Sequence, residues 1–305
     1  MNRLVTAALL MSSATFAIAQ PTTKPAPPKP APPKPAPPAV QVPAVGDVLA
    51  PNGGENWPKL EWLYDVPAMT DAAGKIVIHW FCAPKIAACT DDLARITTLK
   101  ENSNRVYVIA YINGTKRDAQ KLDPIRESEG VGRGTLAFGK NVTSVFKSLG
   151  LIGPVSFVVD VEGKVAQITT GSSPAELDAR DAKVNALAAG IKEYAATVDG
   201  PKVVKAGDKF NLGMTIKLAG WLTYSKKPGT TLEFKVTPPK DIKCDNTTLK
   251  GDQLKPVNQT LTASVSCTGP KGSYELRGIF NFSYDTPSGA TGLGTDGASY
   301  KFEIK

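Results

Sequence analysis

The stretch Lys75-Ile76-Val77-Ile78-His79-Trp80-Phe81-Cys82-Ala83-Pro84-Lys85-Ile86-Ala87-Ala88-Cys89-Thr90-Asp91 decides the fold. Its first half is apolar and β-branched, which predicts a strand over residues 75–81. The run that follows from Asp92 to Leu99 has helical spacing and predicts a helix over 90–101. A cysteine-bearing turn therefore joins a strand to a helix start. Unpaired N–H groups and the helix dipole at such a start favour a thiolate, the nucleophilic form of cysteine. Cys89 is the candidate reactive thiol. Ile86 stands three residues before it, so the segment has no C-x-x-C.

Outward from this stretch, strands alternate with helices. Further strands are predicted over 105–112, 155–160 and 164–169, and further helices over 119–127, 143–149 and 174–197. The last helix has a clear start, with Ser173 as cap, Pro174 at the first position and Glu176 three after the cap. Val158 to Val165 reads as a hairpin that turns at Glu162-Gly163. Such alternation predicts a layered α/β domain over 44–199. Gly130-Val131-Gly132-Arg133-Gly134 lacks the Lys-Ser/Thr ending of a phosphate loop and is predicted to be a flexible loop.

Four motifs in this order resemble the TlpA and ResA branch of the thioredoxin superfamily, which overlaps the AhpC/TSA (redoxin) group. Gly46-Asp47-Val48-Leu49-Ala50-Pro51 is similar to an opening G-x-x-A-P with one extra residue. Gly74-Lys75-Ile76-Val77-Ile78 resembles the G-K-x-V-x that leads into the central strand. Cys89-Thr90-Asp91-Asp92-Leu93 matches the second cysteine of the family where it begins its helix. Gly153-Pro154-Val155-Ser156-Phe157-Val158-Val159-Asp160 resembles a P-x-x-F-x-x-D run whose proline is cis in the family, which implies a cis bond at Pro154. The resemblance implies thiol–disulfide or peroxidase chemistry with Cys89, Cys82 and Pro154 as site residues.

The chain departs from the family pattern at several of these positions. The first cysteine is Ile86, and Trp80 stands where a buried acid often assists the second thiol. Against the peroxiredoxin pattern, Ile86 replaces a threonine, Ala87 a proline and Pro154 an arginine. Cys82 is either a resolving partner for Cys89, one half of a static disulfide, or a packed thiol.

His79, the one histidine of the chain, is expected to be a core or half-buried residue rather than a catalytic base. A histidine-rich metal centre is excluded, and Cys82, Cys89 and His79 are at most a set for a soft metal. No metal and no cofactor is expected.

From residue 200 the pattern changes to short alternating runs over 209–218, 231–236, 259–267, 273–284 and 299–304, divided by turn signals. This predicts an antiparallel β-sandwich over 200–305. Gly220-Trp221-Leu222-Thr223-Tyr224-Ser225-Lys226-Lys227-Pro228-Gly229 is similar to a hallmark of the N-terminal immunoglobulin-like domain of DsbD. The closing runs 276–285 and 300–304 resemble the last hairpin of that domain. That hairpin carries two reactive cysteines in the family, and here residues 283–299 contain none. Cys244 and Cys267 are the candidate structural disulfide.

The first 19 residues, with Arg3 followed by an apolar run to Ala17-Ile18-Ala19, read as a secretory signal peptide. The run is too short for a membrane span of about 20 residues. Residues 20–43 repeat Lys-Pro-Ala-Pro-Pro from Lys24, Lys29 and Lys34, and read as an extended polyproline stalk reaching about 60 Å. The net charge of +8 is uneven: residues 201–305 hold 15 Lys+Arg against 9 Asp+Glu, and residues 41–200 hold 17 against 19. No nucleic-acid motif accompanies the lysines, so a solvated face is expected rather than a nucleic-acid partner. Four cysteines in an exported chain allow two disulfides with three connectivities.

The expectation is a periplasmic or secreted protein with no membrane span once the signal is removed. It would be a thiol–disulfide oxidoreductase or peroxidase-type antioxidant with an incomplete site. The alternative is a redox-inactive binding or scaffold module. The expected partners are protein thiols or disulfides, an extended peptide segment, or another component of the envelope.

Overall fold

A computed structural model describes residues 42–51, 58–126 and 133–305 of the chain. The predicted signal peptide and all of the predicted stalk but Val42 and Pro43 lie outside the described residues.

The α/β part runs β1 (Glu61–Trp62), α1 (Met69–Ala72), β2 (Ile76–Cys82), α2 (Ala87–Asn102), β3 (Val106–Ile112), α3 (Lys116–Lys121), β4 (Gly134–Phe138), α4 (Lys140–Ser148), β5 (Val155–Val159), β6 (Val165–Thr169) and α5 (Pro174–Gly190). Its sheet has the order β1-β4-β3-β2-β5-β6. Strands β2, β3 and β4 are parallel, and β5, β6 and β1 join them antiparallel. A central strand covered on both faces needs apolar residues throughout, and all seven residues of β2 are buried. Ile76, Ile78, Trp80 and Cys82 pack on one face with Cys89 and Ile96 of α2 and Val184 of α5. Val77 and Phe81 pack on the other with Val142, Val145 and Phe146 of α4. This is a layered α/β arrangement, a mixed sheet covered by helices on both faces.

Strand β4 is an addition to the predicted elements. Gly134 opens it, paired with Val108, where a flexible loop was expected. The apolar run behind that glycine, Leu136 and Ala137, is buried in the sheet. Helix α2 starts at Ala87, three residues ahead of the predicted start at Thr90, because the turn bonded from Ile86 N–H to Ala83 C=O leads straight into it. The capping box of α5 is formed as expected, Ser173 accepting from the Glu176 N–H.

The helix predicted over 174–197 is too long. Helix α5 stops at Gly190 and Ile191 is extended. Residues Tyr194–Asp199 form β7, which alternates between half-buried and exposed positions and pairs with a strand of the β part. The apolar spacing of Ile191 and Tyr194 imitated helical periodicity at the point where the chain passes to the next sheet.

The β part continues with β8 (Val203–Val204), β9 (Phe210–Leu218), β10 (Thr223–Tyr224), β11 (Leu232–Thr237), β12 (Lys243–Asp245), β13 (Thr248–Lys250), β14 (Thr260–Thr268), β15 (Gly272–Asp285) and β16 (Thr291–Ile304). One sheet has the order β13-β11-β15-β16-β8 with β10 on β15, and the other β12-β14-β9-β7. Alternate residues of β9, from Phe210 to Leu218, point inward and meet Phe234, Phe280 and Phe282 of the facing sheet. Two sheets sharing one alternating core make a β-sandwich. The parts are joined by more than the chain. Glu193 accepts from Arg105 of the α/β part at 3.2 Å and from the Tyr284 hydroxyl of β15 at 3.0 Å.

Candidate functional site

The predicted site residues meet at one end of the central sheet. Cys82 is the last residue of β2, and Cys89 lies in the first turn of α2. The two form a disulfide with a Cα–Cα distance of 5.7 Å. Both residues are 0% exposed. The Ala83 N–H donates to Cys89 Sγ at 3.1 Å. With their sulfurs bonded to each other, Cys82 and Cys89 offer no thiolate to a metal. Ile86, in the place of the missing cysteine, is the N-cap residue of α2 and gives it no side-chain hydrogen bond. Its half-buried side chain packs on the core instead.

Pro154 leads into β5, whose Val155 pairs with Phe81 next to Cys82. The proline thus reaches the same end of the sheet as the disulfide, and it is buried. Its peptide bond is trans, as is every bond among the described residues, which corrects the cis bond implied by the family resemblance. Neighbouring motif residues reproduced the loop's place in the sheet without reproducing that bond's isomer.

A buried polar cluster beside the disulfide escaped the sequence reading. The Trp80 indole N–H donates to Asp92 Oδ2 at 2.9 Å, and Arg180 of α5 donates to the same oxygen at 2.8 Å. Arg180 also reaches Ser156 Oγ at 3.3 Å and both bonds and pairs with Asp181. Asp92 and Arg180 are nearly or fully inaccessible to solvent. Burial lowers the proton affinity of the Arg180 guanidinium, but the two carboxylates outweigh it and hold its pKa above the ordinary value. Asp92 Oδ1 has no hydrogen-bond partner.

Residues two apart on a strand and three apart on a helix share a face. Trp80–Asp92 and Cys82–Cys89 are therefore successive cross-links between β2 and α2. Trp80 holds the strand position matched to the family's assisting acid, and a carboxylate reaches it from the helix instead. One signal was legible: Arg180 falls between Leu177 and Val184 on the apolar stripe of α5, where a charge has no reason to be unless it is paired.

His79 is on the opposite face of β2. It is fully buried, and desolvation pushes its pKa down to about 3. Its Nδ1 is 3.0 Å from the Tyr111 hydroxyl, which donates in turn to the Pro51 C=O. A neutral ring donating from Nδ1 satisfies both bonds, and Nε2 has no partner. His79 is a core residue, as expected.

The second disulfide joins Cys244 of β12 and Cys267 of β14, directly opposed in register. No free cysteine remains among the described residues.

No protein-family model matches the chain, and no curated protein does. Among solved structures, the chain is similar to a protein described as a thiol:disulfide interchange protein, DsbE, from Chlorobium tepidum, at 22% identity and TM-score 0.37 over 48% of this chain and 98% of that one. It is similar to a thiol-disulfide isomerase from Corynebacterium glutamicum at 16% identity and TM-score 0.36, over 47% and 96%. A third is a secreted disulfide oxidoreductase of Mycobacterium tuberculosis, at 13% identity and TM-score 0.31 over 39% and 87%.

Proposed function

We propose that this chain is an exported thiol–disulfide protein whose redox couple is Cys82–Cys89, in place of a C-x-x-C pair. The observation that carries this reading is the position of the bond, between the end of the central strand and the first turn of α2. The helix start and the Ala83 N–H both favour negative charge on Cys89 Sγ, so Cys89 is the better leaving group. An incoming protein thiolate would attack Cys82 Sγ, forming a mixed disulfide and releasing Cys89 as thiolate. A second thiol of the partner would then attack the mixed disulfide. The partner leaves oxidised, Cys82 leaves as thiolate, and the two electrons stay on the cysteine pair. Pro154 is the candidate contact for the partner's extended segment. Pairing of all four cysteines suits an oxidising compartment, periplasmic or extracellular. No described helix is long and apolar enough to cross a membrane. The sandwich, which resembles the N-terminal domain of DsbD in sequence, would hold a partner rather than carry electrons.

The burial of both cysteines favours a second reading, a redox-inactive binding or scaffold module stapled by a static disulfide. Graded reduction of the native protein, followed by alkylation and mass spectrometry, separates the two. The redox reading expects Cys82 and Cys89 to be alkylated at reductant concentrations that leave Cys244–Cys267 intact. It also expects disulfide exchange with a protein substrate that is lost in Cys89→Ser. Alkylation of Cys89 only after denaturation establishes the static reading.

A further inference from the structure

A cavity of about 470 Å³ lies where the α/β part meets the sandwich, and its lining includes none of the four cysteines. Its volume is within the range of sites for small organic ligands, about 300–1,000 Å³. Leu49, Val77 and Val159 give it buried apolar walls, and Trp221 lines it from the sandwich. The indole comes this close because residue 74 is glycine. Gly74 has φ +72, and a Cβ there would lie 2.5 Å from Trp221 Nε1. The Trp221 N–H donates to no described residue.

One flank of the cavity is charged. The β5–β6 turn contributes Asp160 and Glu162. Asp160 Oδ1 accepts from the Glu162 and Lys164 backbone N–H groups, which orients the carboxylate. Neither carboxylate belongs to an ion pair among the described residues. Of the nearby cations, Lys164 is exposed on the same hairpin and Lys75 is directed over the Tyr107 ring at 5.3 Å. Neither lines the cavity.

We propose that this cavity binds a small amphiphilic cation, a compact apolar body bearing one ammonium group. The body would pack on Leu49, Val77 and Trp221, and the ammonium would face Asp160 and Glu162, with the electron-rich indole adding to its attraction. An anionic ligand of the same shape meets two uncompensated carboxylates and is rejected. The site is independent of the chemistry of Cys82 and Cys89.

The test is titration of the full chain with 1-naphthylmethylammonium and, separately, 1-naphthylacetate, read by calorimetry and by tryptophan fluorescence. The expected result is saturable one-to-one binding of the cation, at least tenfold tighter than the anion. Glu162→Gln, at an exposed turn position, should narrow that ratio several-fold, and Asp160→Asn/Glu162→Gln should abolish it. Trp221→Phe should remove the fluorescence response. Ala72→Leu, which fills the apolar end, should weaken both probes. Absence of saturable binding at millimolar probe, equal affinity for the two probes, or a ratio unchanged in the folded double variant would overturn the proposal.

Discussion

Two residues of the central strand show how strongly burial sets chemistry. Cys82 and His79 are both reactive types, and both are shut from water in the sheet. For His79 the consequence is a stability that depends on pH. Its folded pKa of about 3 lies below the unfolded value of 6.5, so the fold prefers the neutral ring. The contribution is complete above pH 6.5 and is lost as pH falls from there toward 3, at up to about 1.4 kcal/mol per pH unit. His79→Phe keeps the aromatic packing on Tyr111 and should flatten this acid limb by up to one proton. Urea melts between pH 7 and 4 measure it, and an unchanged slope in the variant would show that other groups cause the loss.

At the scale of elements, α2 and α5 are tied together by the Asp92–Arg180 pair, with Trp80 and Ser156 beneath them. A buried pair is a poor source of net stability, but removing one partner strands the other charge. Arg180→Met leaves Asp92 buried and unpaired, and should cost about 3–5 kcal/mol in chemical denaturation. Pairing it with Asp92→Leu should recover a large part of that loss. If the two losses simply add, the pair is not coupled. In the sandwich, Cys244–Cys267 closes a loop of separation 23 between β12 and β14. Replacing both by serine should lower stability by about 3 kcal/mol in the chain-entropy view, visible as a lower unfolding midpoint.

At the scale of the whole molecule, the two parts meet at two places distant in sequence, the Arg105–Glu193–Tyr284 bridge and the Gly74–Trp221 contact. The bridge is partly exposed, so its worth is modest, although burial and then the Glu193 carboxylate push the Tyr284 hydroxyl up to about 12. The steric contact matters more. Gly74→Ala introduces a side chain at positive φ and drives it into the indole. It should cost about 1–3 kcal/mol and alter Trp221 fluorescence. A variant with wild-type melting and emission would mean that the seam opens freely.

Much of the architecture was legible along the chain because its causes are local. The apolar run at 76–82, interrupted by His79 alone, the capping box at Ser173 and the alternation of 210–218 each declare an element through neighbours a few residues apart. The turn at Gly163 and the lack of a thiol at Ile86 were equally plain. What the chain did not declare rests on partners far away in it. Burial of Cys82 and Cys89 depends on a cluster they share with Val158 of β5 and Val184 of α5. The acid at Asp92 acquires meaning only when Arg180, eighty-eight residues on, reaches it. Tyr194–Asp199 is a strand because β9 offers it a pairing edge, against a spacing that suits a helix. Periodicity records which face a residue needs to hide; only the assembled sheets determine what hides it, and therefore which charges lose their water and which sulfurs lose their access.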